Sequence, residues 1–285
     1  MKISIIGLGQ IGASLCAALK EADAADEITG ADTNSAAVDY CVSEGLIDRG
    51  FKDAAEIPPD TDIYVLAVPV HRMRTAADAL FSTPRPGAVI TDVGSVKESV
   101  ARSIESVLPP DVFFVPAHPV AGSEKQGAKA HKKTIFKGKP VIITSGSGDA
   151  LSKVEDMWKK TGAKILKMSA REHDRIFALI SHLPHACAYS LSSVAGTATT
   201  EKVNAFSISG GGLKDTTRIA MSDPDLWAGI LIENGENVLE AFKGFSRSIS
   251  KIARAVEAGD REELARLLEK GRAAKELFIK NERNF

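Results

Sequence analysis

The chain has 285 residues, of which 44% are hydrophobic and 26% charged, and its 36 basic residues against 37 acidic ones leave a formal net charge of −1. That much apolar material excludes a disordered chain, and the charge balance leaves no global basic field to recruit nucleic acid. The length predicts about two domains. Cys16, Cys41 and Cys187 are scattered and form neither a C-x-x-C pair nor a disulfide framework, as in a reducing compartment. No apolar run approaches the roughly 20 residues of a membrane helix. Too few residues precede the first glycine for a signal peptide. A cytoplasmic protein with no membrane partner is expected.

In chain order, the runs 2–6, 27–31, 62–69, 88–93, 112–117 and 141–144 read as buried strands, rich in Val, Ile and Leu. Helical segments such as 11–22 and 96–107 lie between them. This alternation predicts βαβ units, hence an α/β fold with an N-terminal Rossmann-type, doubly wound and mostly parallel sheet. Ser145-Gly146-Ser147-Gly148-Asp149 reads as a loop before a further helix and the short apolar run Ile165-Leu166. Ser169-Ala170-Arg171-Glu172 then has the form of a capping box. Beyond it the chain reads as helices. Val238, Leu239, Phe242, Phe245, Ile249, Ile252 and Val256 recur every three or four residues as the stripe of a long packed helix. Asp260 opens a final one. The expected division is a dinucleotide-binding domain over 1–168 and an all-α substrate and dimerisation domain over 169–285, with the active site in the cleft between them.

Gly7-Leu8-Gly9-Gln10-Ile11-Gly12 is a G-x-G-x-x-G between the first strand and the first helix. Its glycines allow a tight turn, close approach of a pyrophosphate to the backbone, and close helix–strand packing. Asp32 stands about 20 residues after Gly12, at the end of the second strand, where an acid accepts the ribose hydroxyls and repels a 2′-phosphate. The chain continues Thr33-Asn34 with no arginine, which favours NAD over NADP. Gly7, Gly9, Gln10, Ile11, Gly12 and Asp32 are therefore the expected cofactor-binding residues.

Polar motifs cluster after strands, where an open α/β sheet binds ligands. They are Asp92-Val93-Gly94-Ser95-Val96-Lys97, then His118-Pro119-Val120-Ala121-Gly122-Ser123-Glu124, then His182-Leu183-Pro184-His185. Gly210-Gly211-Gly212-Leu213-Lys214-Asp215-Thr216-Thr217-Arg218 follows and leads into Ser222-Asp223-Pro224-Asp225-Leu226-Trp227. In order and wording these motifs resemble the prephenate/arogenate (cyclohexadienyl) dehydrogenases of tyrosine biosynthesis, over nearly the whole chain. The resemblance implies oxidative decarboxylation of a cyclohexadienol, with hydride passing to NAD(P), and a homodimer.

By that resemblance His118 is the catalytic histidine, with Ser95 on the same ring hydroxyl. Arg218 binds the substrate carboxylate, His185 touches substrate and Ser123 keeps the hydroxyl of the family's threonine; Trp227 closes an apolar wall, and Glu124 and Asp215 are the candidate acids for the ammonium group that distinguishes arogenate from prephenate. The residues support several of these roles independently. A histidine titrates near working pH and suits a proton acceptor; flanking prolines and a glycine place His118 in a fixed exposed turn. A guanidinium fork matches a carboxylate. Other readings stand beside them: Ser95 as the N-cap of a helix from Val96, Arg218 as a surface residue paired with Asp215 or Asp223, and Trp227 as core. His182 and His185 are three apart and share a helix face, but no further ligands stand at metal-site spacing, so no metal is expected. The six lysines from Lys125 to Lys139 predict a solvated surface loop; the alternative reading is that they raise the local concentration of a dianionic substrate. Ser123 and Thr216 depart from the family's more usual threonine and aromatic residues. The chain has no length for a fused mutase or regulatory domain, so inhibition by tyrosine would act at or near the active site. The alternatives are another two-domain dehydrogenase, acting on a β-hydroxyacid or an imine, and a non-catalytic NAD-sensing dimer.

Overall fold

The computed structural model describes residues 1–80, 86–198 and 205–282. Strands β1 (Lys2–Ile6), β2 (Glu27–Ala31), β3 (Arg49–Phe51), β4 (Ile63–Leu66), β5 (Val89–Asp92) and β6 (Phe113–Val115) form a six-stranded sheet in the order 3-2-1-4-5-6. Every pairing in it is parallel. Helices α1 (Gln10–Glu21), α2 (Ser35–Ser43), α3 (Met73–Leu80) and α4 (Glu98–Glu105) form the crossovers.

The unbroken apolar runs follow from burial on both faces. Ile5, Val65, Val89 and Val115 join one core with Leu15, Leu19 and Trp158. Their neighbours Ile6, Leu66, Ile90 and Phe114 join a second core on the opposite face with Met73, Leu80, Val100 and Ile104. Successive side chains of a strand point to opposite faces, so most positions carry an apolar residue, and the buried Ser4 and Thr29 hydroxyls pair with each other.

The expected strand 112–117 divides. It leaves the parallel sheet at Pro116 and continues as β7 (Ala117–Pro119), which pairs antiparallel with β8 (Pro140–Ile143). β8 in turn pairs parallel with β9 (Lys164–Lys167), making a separate three-stranded sheet. Both β7 and β8 therefore lie outside the parallel sheet predicted for them. A proline offers no N–H to the ladder, which explains the break. Between β8 and β9 runs α5 (Gly148–Lys160), whose Val154, Met157 and Trp158 pack on the first core.

The remaining elements are helical: α6 (Ala170–Phe177), a π-helical turn over Ala178–His182, α7 (Leu183–Gly196), α8 (Gly211–Thr217), α9 (Pro224–Glu233), α10 (Gly235–Glu257) and α11 (Arg261–Glu282). The capping box forms as expected: the Glu172 amide donates to Ser169 Oγ, and the Ser169 amide donates to Glu172 Oε2. The chain divides into two compact units, Met1–Gly235 and Glu236–Phe285. In the second unit Val238, Ala241 and Ala255 are buried, whereas Leu239, Phe245, Ile249 and Val256 of the predicted stripe are exposed. No described helix is long and apolar enough to cross a membrane.

Candidate active site

The glycine-rich loop lies where the strand order reverses, between β1 and β4, the position at which open α/β sheets bind ligands. Gly7 has φ +99°, and a Cβ there would meet the Ala67 carbonyl oxygen, just past β4, at 2.5 Å. A Cβ on Gly12 would lie 1.9 Å from the Gly7 carbonyl oxygen, so α1 rests directly on the loop. Gly9, the N-cap of α1, has nothing within 4 Å of its would-be Cβ. Two glycines are required by contact with protein; the third leaves open space over a helix N-terminus, where a pyrophosphate fits.

Asp32 follows β2 and is held by the loop it serves. The Leu8 amide donates to its Oδ2 (2.7 Å) and the Asn34 amide to its Oδ1 (2.8 Å). Each oxygen keeps a lone pair for a ribose hydroxyl. Gln10 turns elsewhere: its Nε2 donates to Ser123 Oγ (2.6 Å), and the Ser123 amide donates back to Gln10 Oε1 (3.0 Å). Ile11 lies against Gly122, 3.7 Å from its would-be Cβ. The segment after His118 is thus fastened over the start of α1.

His118 sits in β7 opposite Ile142 and is 8% exposed, so the expected exposed turn is replaced by a buried strand position. The reason is a buried grip on its neighbour Ala117. Asp92, at the end of β5, accepts from the Ala117 amide (3.1 Å) and from Lys97 Nζ, and Lys97 Nζ also donates to the Ala117 carbonyl (2.8 Å). Both charged side chains have zero exposure. Burial pushes the Lys97 amine down from its ordinary value, while Asp92 opposes that shift.

The N-terminal amides of Lys97 and Glu98 donate to the two oxygens of Asp174, from α6, at 2.8 Å each. The helix starts at Glu98, and the capping carboxylate comes from 76 residues away, so Ser95 is not its N-cap. The Ser95 hydroxyl makes no hydrogen bond among the described residues and is half-buried. Asp174 Oδ1 also lies 2.8 Å from His173 Nδ1, and His173 Nε2 lies 2.8 Å from His118 Nδ1. Asn234 Nδ2 donates to the Asp174 carbonyl (2.8 Å) and meets His182 Nδ1 at 3.1 Å.

Four histidines gather here, and all are held below their ordinary range, chiefly by burial. His118 is driven well below it, with the charges of His173 and Lys97 adding to burial. His182 is pushed down to about 4, and His173 and His185 are lowered as well. At neutral pH these rings are uncharged, with one donor and one acceptor nitrogen each.

His182 and His185 serve different partners despite their spacing. Pro184 falls in the first turn of α7, directly after the π-helical turn, a feature frequent at functional sites. His185 Nδ1 meets the Ser181 carbonyl at 3.0 Å, and its ring stacks on Trp227 with centroids 3.4 Å apart. Trp227 is buried in the second core beside Ile230, so it both packs and presents a ring face. Arg218 lowers the His185 pKa by its charge and donates through Nη1 to Glu124 Oε2 at 2.9 Å. The Glu124 carboxyl lies below its usual range, through its own backbone amide and then Arg218. Arg218 pairs with neither Asp215 nor Asp223: Asp215 is exposed on α8, and Asp223 caps α9.

The lysine-rich loop drapes over α1 and α2. Lys133 pairs with Glu21 (3.1 Å), and Lys129 lies 6.0 Å over the Tyr40 ring. Lys97, His173, Asp174 and Asn234 were given no role by sequence reasoning. The D-V-G-S-V-K wording signalled Lys97 and the adjacent pair signalled His173 and Asp174, whereas neither signal reaches Asn234.

Known proteins carry the same plan. The model for the prephenate dehydrogenase nucleotide-binding domain matches residues 15–167, and that for the prephenate dehydrogenase dimerization domain matches 169–270. The cyclohexadienyl dehydrogenase of Zymomonas mobilis is 34% identical over 262 residues, covering 90% of this chain and 89% of its own length. The prephenate dehydrogenase of Bacillus subtilis is 34% identical over 93% of this chain and 72% of its own. The crystal structure of Aquifex aeolicus prephenate dehydrogenase, in complex with hydroxyphenyl propionate and NAD+, superposes with a TM-score of 0.90 at 33% identity, over 98% of each chain. Two adjoining family models and two curated relatives of this likeness, together with the matching fold, place the chain in the prephenate dehydrogenase family.

Proposed function

We propose that this protein oxidatively decarboxylates prephenate, arogenate or both, giving 4-hydroxyphenylpyruvate or tyrosine. One observation carries the reading. The glycine cradle and the guanidinium anchor are joined by two adjacent residues: Gln10 bonds Ser123, and Glu124 pairs with Arg218. A site for a dinucleotide and a site for a carboxylate are thereby built into one contiguous strip of chain.

NAD+, when bound, supplies the hydride acceptor. Gly7, Gly9 and Gly12 shape its pyrophosphate cradle, and Asp32 holds the ribose and disfavours a 2′-phosphate, so NAD is preferred over NADP. Arg218 and His185 fix the anionic side chain of the substrate, with Trp227 as wall, and Ser123 and Asp215 border that end. Neutral His118 accepts the hydrogen bond of the ring hydroxyl and draws its proton away while the carbon gives up hydride, and the Ser95 hydroxyl donates to the same oxygen. The ring carboxylate leaves as carbon dioxide, its bonding pair enters the ring, and the oxygen retakes the proton as a phenol. Aromatisation drives the reaction, so the protein supplies mainly position and hydrogen bonds.

Functionally, residues 1–168 bind the dinucleotide and 169–285 the substrate and a second copy; the adjoining family-model matches support this division. The exposed Leu239, Phe245, Ile249 and Val256 supply apolar surface for a homodimer in the cytoplasm. Tyrosine, which shares the carboxylate, inhibits at the same Arg218. The test is initial rates with prephenate and with arogenate, each with NAD+ and with NADP+. Turnover of either substrate, faster with NAD+, is expected; inactivity with both overturns the reading.

A further inference from the structure

We propose that His173, oriented by Asp174, is a positioning residue that fixes His118 as the tautomer with its proton on Nδ1, leaving Nε2 a bare acceptor for the reacting hydroxyl. The inference deepens the reading above and rests on it for its catalytic consequence, but the tautomer itself does not depend on which substrate is turned over.

The assignment follows donor by donor. Both oxygens of Asp174 already face amides, Oδ1 that of Lys97 and Oδ2 that of Glu98, at 2.8 Å each. The carboxylate therefore acts as acceptor, and His173 Nδ1, 2.8 Å from Oδ1, is a donor. An uncharged imidazole has only one N–H, so His173 Nε2 offers a lone pair. His118 Nδ1 stands 2.8 Å from it and must supply the hydrogen. By the same rule His118 Nε2 is left unprotonated. The opposite tautomer would aim an N–H at the hydroxyl and oppose loss of its proton.

Packing keeps the ring order from inverting. His173 and Asp174 are 0% and 2% exposed, so water does not substitute for either partner. Phe177, one turn along α6, stacks on His173 with centroids 4.3 Å apart and meets His118 edge-on at 4.7 Å. A flipped His173 would bring Nε2 away from His118 and take from Asp174 Oδ1 one of its two buried donors, leaving it only the Lys97 amide.

The test combines a spectrum with kinetics. In protein labelled with 15N-histidine, the imidazole signals of His118 are identified as those lost in His118→Asn. The two-bond 1H–15N pattern is expected to show Nδ1 protonated and Nε2 bare. His173→Phe keeps a ring on Phe177 but removes the acceptor; it should abolish that pattern and lower kcat on the order of 10²-fold, with KM for substrate and NAD+ within about threefold. His173→Gln, whose amide oxygen can accept from Nδ1–H, should recover part of kcat. A proton on Nε2 of wild-type His118 overturns the proposal, as does an unchanged kcat in a folded His173→Phe. Should wild-type protein turn over neither prephenate nor arogenate, the functional reading fails, and the wild-type spectrum still decides the tautomer.

Discussion

Lys97 and Asp92 form an ion pair in which both side chains are fully buried, and between them they bond both the amide and the carbonyl of Ala117, next to His118. Such a pair is worth little as a net attraction, since removing two charges from water offsets most of their mutual gain. Breaking it is another matter. Lys97→Met leaves an uncompensated buried carboxylate and should destabilise the protein by about 3–5 kcal/mol. Urea unfolding measures this, and adding Asp92→Asn should recover part of the loss. A midpoint unchanged in Lys97→Met would show that Asp92 finds another partner.

His118→Asn removes the proposed proton acceptor without touching the glycine cradle. Turnover should fall on the order of 10²- to 10⁴-fold. NAD+ affinity, followed by fluorescence titration, should stay within about twofold, because Gly7, Gly9, Gly12 and Asp32 are separate from it. Loss of NAD+ binding would place His118 in the cofactor site instead.

Asp32→Ser should reduce the preference for NAD+ over NADP+, read as the ratio of kcat/KM values, by at least about tenfold. The serine hydroxyl still accepts one of the two amides that Asp32 now binds, so the loop is retained. An unchanged ratio would mean that discrimination lies elsewhere.

Arg218→Lys keeps the charge and loses the planar fork. KM for prephenate or arogenate should rise on the order of tenfold or more, with a smaller effect on kcat. Glu124 engages Arg218 through Nη1, which leaves the other guanidinium N–H groups for a substrate carboxylate. A KM unchanged in Arg218→Lys would remove Arg218 as the anchor.

Acid should destabilise the fold through its histidines. His118, His173 and His182 lie below the ordinary value of 6.5, His182 at about 4. Above pH 6.5 both folded and unfolded chains keep these rings neutral, and they contribute nothing to the pH dependence. Below it the unfolded chain takes up protons that the folded chain refuses, so stability falls as pH drops toward the folded values. For His182 alone the full gap corresponds to about 3 kcal/mol below pH 4. Urea midpoints at about pH 7.5 and about pH 5 should differ, and less so in His182→Gln. Equal pH dependence in the two proteins would contradict the assignment.

Local physics was legible in the sequence wherever a residue acts through its own neighbours. The strands at 2–6 and 27–31, the glycine cradle with Asp32, and the Ser169 capping box each follow from steric and hydrogen-bonding rules spanning a few residues, and the structure has all of them. The short strand β3 carries too few apolar residues to stand out. Tertiary structure alone decided the rest. Pro116 marks a break, but only β8 determines that the chain beyond it joins a second sheet. The helix after Ser95 is capped by Asp174, and Arg218 is paired with Glu124, 94 residues away. Buried polar groups must find partners wherever the fold brings them, and sequence spacing does not encode that proximity. The sequence therefore identified His118 as a candidate base; the contacts made by Lys97, His173 and Asp174 determine its burial, its neutral charge and its orientation.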